Sequence, residues 1–146
     1  MLLAAFEAGD SFTRAGVTYV HPIAHTLGGI YDEMHGRANA VVLAPMLEAF
    51  GPCVQEKLAR LARVAGLDVA GLSDAEAADR FIGEIRSMNR AMGIPETFGY
   101  IRRRDIPRML DWAHAEAHPW YRVPRFLDRG ELEAVIVRVM DEEEGR

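Results

Sequence analysis

The sequence has little of what marks several common classes of protein. Cys53 is its only cysteine, which excludes a disulfide framework and favours a reducing, cytoplasmic setting. No stretch approaches the roughly 20 apolar residues that span a bilayer, and the apolar start meets Glu7 too early for a signal peptide. The net charge is −5, so the basic excess typical of nucleic-acid binders is absent. We therefore expect a soluble, cytoplasmic protein without nucleic-acid or membrane partners.

Alternating apolar and polar runs bounded by tight turns, which indicate β-strands, are also missing. Apolar residues recur instead at helical spacing, and 146 residues are enough for one domain with a core. We predict an all-α fold, with residues 1–146 forming a single helical domain. The acidic segment Asp141 to Glu144 is expected to be a solvated end.

Three positions carry the signals of helix starts. Two have the form of a capping box, in which a capping side chain and a glutamate three residues later bond each other's backbone; they are Ser73 with Glu76 and Asp128 with Glu131. The third is Asp105, followed by Pro107 in the first turn. The residues predicted to face the core are Leu58, Leu61, Ala62, Ala65, Phe81, Ile85, Met88, Met92, Met109, Leu110, Ala113, Leu132, Val135, Ile136 and Val139.

Three of the five histidines, His21, His25 and His35, lie close together in the sequence. Histidine is the commonest metal ligand and the side chain best suited to proton transfer near neutral pH. On a helix, His21 and His25 would share one face. Pro22 stands where the metalloprotease motif H-E-x-x-H has its general-base glutamate, which excludes that reading.

The pair Gly28-Gly29 permits either a sharp turn or a close approach of another helix. A turn followed by a helix that starts at His35 would bring His35 back towards His21. Spacing alone leaves two interpretations open. The histidines either converge on a chemical site or cap helices and make hydrogen bonds in the core.

The stretch from Gly9 to Leu43, GDSFTRAGVTYVHPIAHTLGGIYDEMHGRANAVVL, resembles the signature of the iron-containing (group III) alcohol dehydrogenases. That signature reads roughly G-x-x-F-[ST]…H-x-x-x-H-x-[LI]-G-[GA]-x(5)-H-G-x-A-N-A. The similarity continues through Met88 to Pro95 and Asp105 to Pro107 to the ending His118 to Arg125, HPWYRVPR. It implies a helical bundle like the C-terminal domain of these enzymes, in the dehydroquinate synthase-like superfamily.

The resemblance also implies roles for single residues. His21 and His35 fall on two of the family's metal ligands, for Fe²⁺ or sometimes Zn²⁺. His25 falls on a histidine beside the metal that is assigned to proton relay. Phe12 falls on a phenylalanine that can line the substrate pocket, although a core position is an equal alternative. Members of the family interconvert alcohols and carbonyl compounds with NAD or NADP.

Several parts of the family pattern have no counterpart in these 146 residues. The first two ligands, an aspartate and a histidine four residues later, are not found, and neither is the glycine-rich phosphate loop of the nucleotide-binding domain. We therefore expect the C-terminal helical, metal-binding domain only, with no nucleotide-binding residues and with NAD(P) bound only if an N-terminal domain is supplied. Glu33 replaces a small or apolar residue and is expected to place a carboxylate near the metal.

Three functions remain open. The first is the C-terminal metal-binding part of an iron-dependent alcohol dehydrogenase, inactive as an isolated chain. The second is a free-standing helical interaction or metal-binding module without redox activity. The third is a relative of the dehydroquinate synthase or glycerol dehydrogenase kind, with zinc on the histidine pair. Helix faces that an upstream half would cover are left exposed, so we expect a homo-oligomer or a complementary N-terminal chain, besides a small alcohol or carbonyl substrate.

Overall fold

Helices account for most of residues 1–141, the part of the chain that the computed structural model describes. The α-helices are α1 (Leu2–Ala15), α2 (Val20–Tyr31), α3 (His35–Phe50), α4 (Pro52–Val64), α5 (Asp74–Ala91), α6 (Ile106–Ala117) and α7 (Arg129–Arg138). No β-strand occurs in the described residues, where Phe98 and Met140 form an isolated β-bridge. The predicted all-α class is confirmed. Beyond Asp141, the predicted acidic end lies outside the described residues.

Both predicted capping boxes are present. The Ser73 hydroxyl accepts the Glu76 N–H and the Glu76 carboxylate accepts the Ser73 N–H at 2.8 Å, and Asp128 and Glu131 repeat this exchange at the start of α7. Asp105 precedes α6 as predicted but its side chain makes no cap. It accepts a hydrogen bond from the Tyr31 hydroxyl at 2.8 Å instead, which ties α2 to the start of α6.

The main core lies between α2, α3, α6 and α7, the helices that carry most of its buried side chains. Large side chains that are fully buried there include Tyr19, Ile23, Leu27, Met46, Phe50, Met109, Leu132 and Ile136. A smaller cluster of Ala59, Ala62, Val69 and Ala77 joins α4 to α5. The small side chains on this face let the two helices pack closely.

Four of the residues predicted to face the core are exposed instead, and Ala65 is one of them. Leu61, Met88 and Met92 are 48%, 50% and 64% exposed. Near the end of α5, the face turned towards α3 is that of Asn89, whose side-chain amide donates to the Ala40 carbonyl oxygen at 2.9 Å. One turn of helix takes 3.6 residues, so the apolar spacing in α5 is compatible with burial of either of two neighbouring faces. Packing against α3 buries the face of Asn89 and leaves the predicted face exposed.

Gly28 and Gly29 lie inside α2 and make no turn, so the sharp-turn alternative is wrong. A Cβ on Gly29 would lie 3.5 Å from the Trp112 ring of α6. Residues 2–15 carry none of the predicted helix starts, and α1 forms there without a single buried residue. In the described part of the chain, no helix has the length and apolar character needed to cross a membrane.

Candidate metal centre

A tight turn between α2 and α3 brings the three predicted histidines together. Asp32 ends α2 in the left-handed region, at φ 56° and ψ 33°, and its N–H donates to the Gly28 carbonyl oxygen at 3.0 Å. The chain then reverses within three residues, and α3 begins at His35. The ring centroid of His35 lies 5.3 Å from that of His21 and 5.1 Å from that of His25. The convergence expected from the spacing is therefore present.

Glu33 anchors this turn, because its carboxylate is hydrogen-bonded inside the fold; its expected nearness to a metal ion stays a prediction. Its side chain is only 2% exposed. It accepts the Met34 N–H at 2.9 Å, two guanidinium N–H groups of Arg37 at 2.7 and 2.6 Å, and the Tyr100 hydroxyl at 2.5 Å. The hydrogen bonds from Arg37 lower the pKa of Glu33, so the carboxylate stays ionised and satisfied within the fold.

His21 lies in the half-buried part of the cluster. Burial lowers its pKa, and the neighbouring imidazoles of His35 and His25 lower it further. A lowered pKa means that the ring is neutral at pH 7, with a lone pair on one nitrogen. That is the form in which histidine binds a metal ion.

Asn39, one turn along α3, orients His35. Its side-chain nitrogen lies 3.1 Å from His35 Nε2 and donates to the His35 carbonyl oxygen at 2.8 Å. The Asn39 Oδ1 is buried without a hydrogen-bond partner among the described residues. The Asn39 amide thus faces the lone pair of His35 Nε2, and a metal ion bound at this nitrogen would replace that contact.

His25 is held by a residue that the sequence analysis did not single out. Its Nδ1 lies 2.8 and 3.1 Å from the two carboxylate oxygens of Glu116, on α6, and the Tyr121 hydroxyl donates to the same carboxylate at 2.5 Å. Glu116 is 91 positions from His25 in the chain, so no spacing pattern could connect them. His25 also stacks on His35 with an interplanar angle of 21°.

Phe12 lies beside the cluster, with its ring centroid 6.3 Å from that of His21. It lines an open pocket of about 470 Å³ together with Val17, Val20, His21, Asn39 and Leu43. Phe12 is 51% exposed, so the core alternative is wrong, and its role in substrate binding stays a prediction. The remaining two histidines, His114 and His118, form a separate pair with ring centroids 4.2 Å apart.

The imidazole nitrogens of the cluster are donors of the type that binds a divalent metal ion, but there are too few of them to complete a site. Two imidazoles bound to one tetrahedral ion at about 2.1 Å would have ring centroids roughly 5 Å apart, close to the spacing of His21 and His35. Within residues 1–141, no three histidine, cysteine, aspartate or glutamate side chains are arranged to hold one metal ion.

These features define an all-helical fold with an imidazole cluster, of which His21 lines an apolar pocket. The model of the Fe-containing alcohol dehydrogenase family, C-terminal part, matches residues 1–140. The chain belongs to this family. It is 36% identical over 115 residues to the 1,3-propanediol dehydrogenase of Klebsiella pneumoniae and 35% identical to the lactaldehyde reductase of Escherichia coli, covering 77% of this chain and 30% of each relative.

Solved structures show the same likeness. An alcohol dehydrogenase from Oenococcus oeni superimposes with a TM-score of 0.84 at 29% identity, over 90% of this chain and 35% of that one. A 1,3-propanediol oxidoreductase gives 0.78 at 32% identity, over 84% of this chain and 32% of that one. The chain thus corresponds to about a third of the length of the enzymes that it matches.

Proposed function

We propose that this chain is the C-terminal, metal-binding part of an iron-dependent alcohol dehydrogenase that interconverts alcohols and aldehydes or ketones with NAD(P). The observation that carries the proposal is the convergence of His21 and His35, with ring centroids 5.3 Å apart, where His21 also lines an apolar pocket. Membership of the family supports it. In this proposal His21 and His35 are two metal ligands, for Fe²⁺ or Zn²⁺.

The remaining residues of the site have complementary tasks in this proposal. Fe²⁺ or Zn²⁺ would polarise the substrate oxygen, and the nicotinamide would carry the hydride. His25 takes the hydroxyl proton and passes it to solvent, which its half-exposed position allows. Phe12 and the apolar wall of the pocket bind the carbon chain of a small alcohol or carbonyl substrate.

By themselves, residues 1–141 are expected to bind metal weakly and to lack activity. Protein sites for iron or zinc normally use three or four ligands, and His21 and His35 supply two. The other ligands and the nucleotide site are therefore assigned to residues outside this set, on this polypeptide or on another one. Sequencing the coding region next to this gene for a glycine-rich loop and a D-x-x-x-H motif tests where they lie.

Metal titration of the purified 146-residue chain tests the assignment of ligands. We expect weak binding of Zn²⁺ or Fe²⁺ that is lost in H21A and in H35A, and no alcohol-dependent NAD reduction. H114A is the matched control, because His114 belongs to the separate histidine pair and its loss should leave binding by the cluster unchanged. Tight stoichiometric metal binding or robust turnover by the chain would contradict the proposal that the other ligands and the nucleotide site lie outside residues 1–141.

The same titration separates this function from the alternative of a free-standing module. A metal-binding module without redox activity would bind its ion at full stoichiometry through a complete site and would gain no activity from an added N-terminal half. We further propose a cytoplasmic setting, which the free and exposed Cys53 supports. The partner is proposed to be a second copy of the chain, and a complementary N-terminal chain would be the other outcome of the association experiment below.

A further inference from the structure

The contact between His25 and Glu116 joins two helices at the edge of the histidine cluster. Glu116 lies on α6 and His25 on α2, and both carboxylate oxygens are within 3.1 Å of Nδ1. A carboxylate has no proton to donate, so Nδ1 carries the hydrogen of this bond. The neutral ring then has its lone pair on Nε2, the nitrogen turned away from Glu116.

Tyr121 is a second residue that holds the Glu116 carboxylate in place. Its hydroxyl donates to Glu116 Oε1 at 2.5 Å. Burial and the bond to Glu116 raise the pKa of Tyr121 to about 12, so the hydroxyl stays protonated and remains a donor at neutral pH. Glu116 therefore receives hydrogen bonds from Tyr121 and from His25, in an arrangement that excludes the opposite His25 tautomer.

From this geometry we propose that Glu116, itself held by Tyr121, is a positioning residue that fixes His25 as the Nδ1–H tautomer. In that tautomer Nε2 is the only ring nitrogen able to accept a proton, and it faces away from Glu116. The inference rests on the proposed function, because the choice of nitrogen matters only if His25 relays the substrate proton. At metal sites, a carboxylate that accepts a hydrogen bond from one ring nitrogen of a histidine commonly sets its tautomer.

If the contact between His25 and Glu116 only supports the fold, a different result is expected. A half-exposed contact between a histidine and a carboxylate on two helices contributes little to stability. Its loss would then lower stability slightly without changing the His25 tautomer. The tautomer is thus the measurement that separates positioning from structural support.

The test is nitrogen-15 NMR of the imidazole rings in the full 146-residue chain, without metal or nicotinamide. The pH is set well above the ordinary imidazole pKa of about 6.5, so that the rings are neutral. His25 is assigned by comparison with H25A. We expect wild-type His25 to show a protonated Nδ1 and an unprotonated Nε2. In E116A the two signals should exchange character, because a free histidine side chain favours the Nε2–H tautomer.

Three further variants complete the experiment. E116Q should give a mixture of tautomers, since an amide can either accept or donate, and it carries the test if E116A does not fold. Y121F should keep the Nδ1–H tautomer with a weaker preference. E133A removes an exposed glutamate from α7 and should leave the His25 signals unchanged.

The inference is overturned if wild-type His25 is mainly the Nε2–H tautomer, or if neither E116A nor E116Q alters it. Because no metal or nicotinamide is present, this result does not depend on the ligand assignment. If H21A and H35A bind the metal ion as wild type does while the His25 tautomer follows Glu116, the ligand assignment is wrong and the tautomer assignment stands.

Discussion

At the scale of single residues, the buried Glu33 carboxylate is central to the geometry of the site. It receives hydrogen bonds from Arg37, Tyr100 and the Met34 backbone, directly after the turn that leads into α3. These partners come from both the start of α3 and a distant loop. The carboxylate therefore helps to determine where His35 lies relative to His21.

The variant E33Q should lower the free energy of unfolding by about 1–3 kcal/mol, because it weakens charge-assisted bonds and leaves buried donors poorly paired. The Glu33 pKa is lowered in the folded state from its ordinary value of 4.5. Its contribution is therefore present above pH 4.5 and is lost as the pH falls through the lowered value.

Urea denaturation of wild type and E33Q across this pH range measures both effects, with E133Q as the matched exposed control. The difference in stability between wild type and E33Q should shrink in acid. A constant difference from neutral pH down to strong acid would contradict the ionised, hydrogen-bonded state of Glu33.

At the scale of elements, the connection between α2 and α3 depends on Asp32, the only non-glycine residue with positive φ among residues 1–141. Aspartate tolerates the left-handed region better than most residues, while a β-branched side chain is disfavoured there. This turn, rather than Gly28-Gly29, reverses the chain and sets His35 beside His21.

We expect D32V to lower the free energy of unfolding by about 1–2 kcal/mol, since valine must adopt the left-handed conformation. D32G should be as stable as wild type or slightly more stable, because glycine has no Cβ to strain. Urea denaturation of the three proteins provides the comparison. Equal stability of D32V and wild type would show that the turn does not need the positive φ.

At the helix ends, local sequence signals predicted some features of the structure and missed others. The capping boxes at Ser73 and Asp128 were predictable because they depend on residues three positions apart. The exposure of Met88 and Met92 was not, because it depends on which face of α5 meets α3. Asp105 satisfies the sequence rule for a cap and yet bonds Tyr31, a choice that only a distant residue could impose.

At the scale of the whole molecule, α1 leaves its apolar side chains uncovered. None of its residues is buried, and Leu2, Leu3 and Phe6 are 91%, 68% and 73% exposed. Large exposed apolar patches on a protein surface indicate interaction sites. This is the surface through which we expect the chain to associate.

Light scattering of the purified chain should therefore give a mass above that of a 16.3 kDa monomer. The double variant L3E/F6E should shift the chain towards the monomer, while R60E, on the exposed face of α4, should not. A monomeric wild-type chain that associates only when an N-terminal half is added would identify the complementary chain as the partner. A monomer under both conditions would contradict the association.

By itself the sequence determined the helical class, two capping boxes and the histidines that form the cluster, because these follow from periodicity and from motifs of a few residues. Their metal and relay roles remain predictions. Tertiary structure alone decided that Glu116 reaches His25 across 91 positions, that Glu33 is buried in the turn, and that Leu61 faces solvent. Such contacts depend on how the helices pack, and helix periodicity leaves more than one face available for packing.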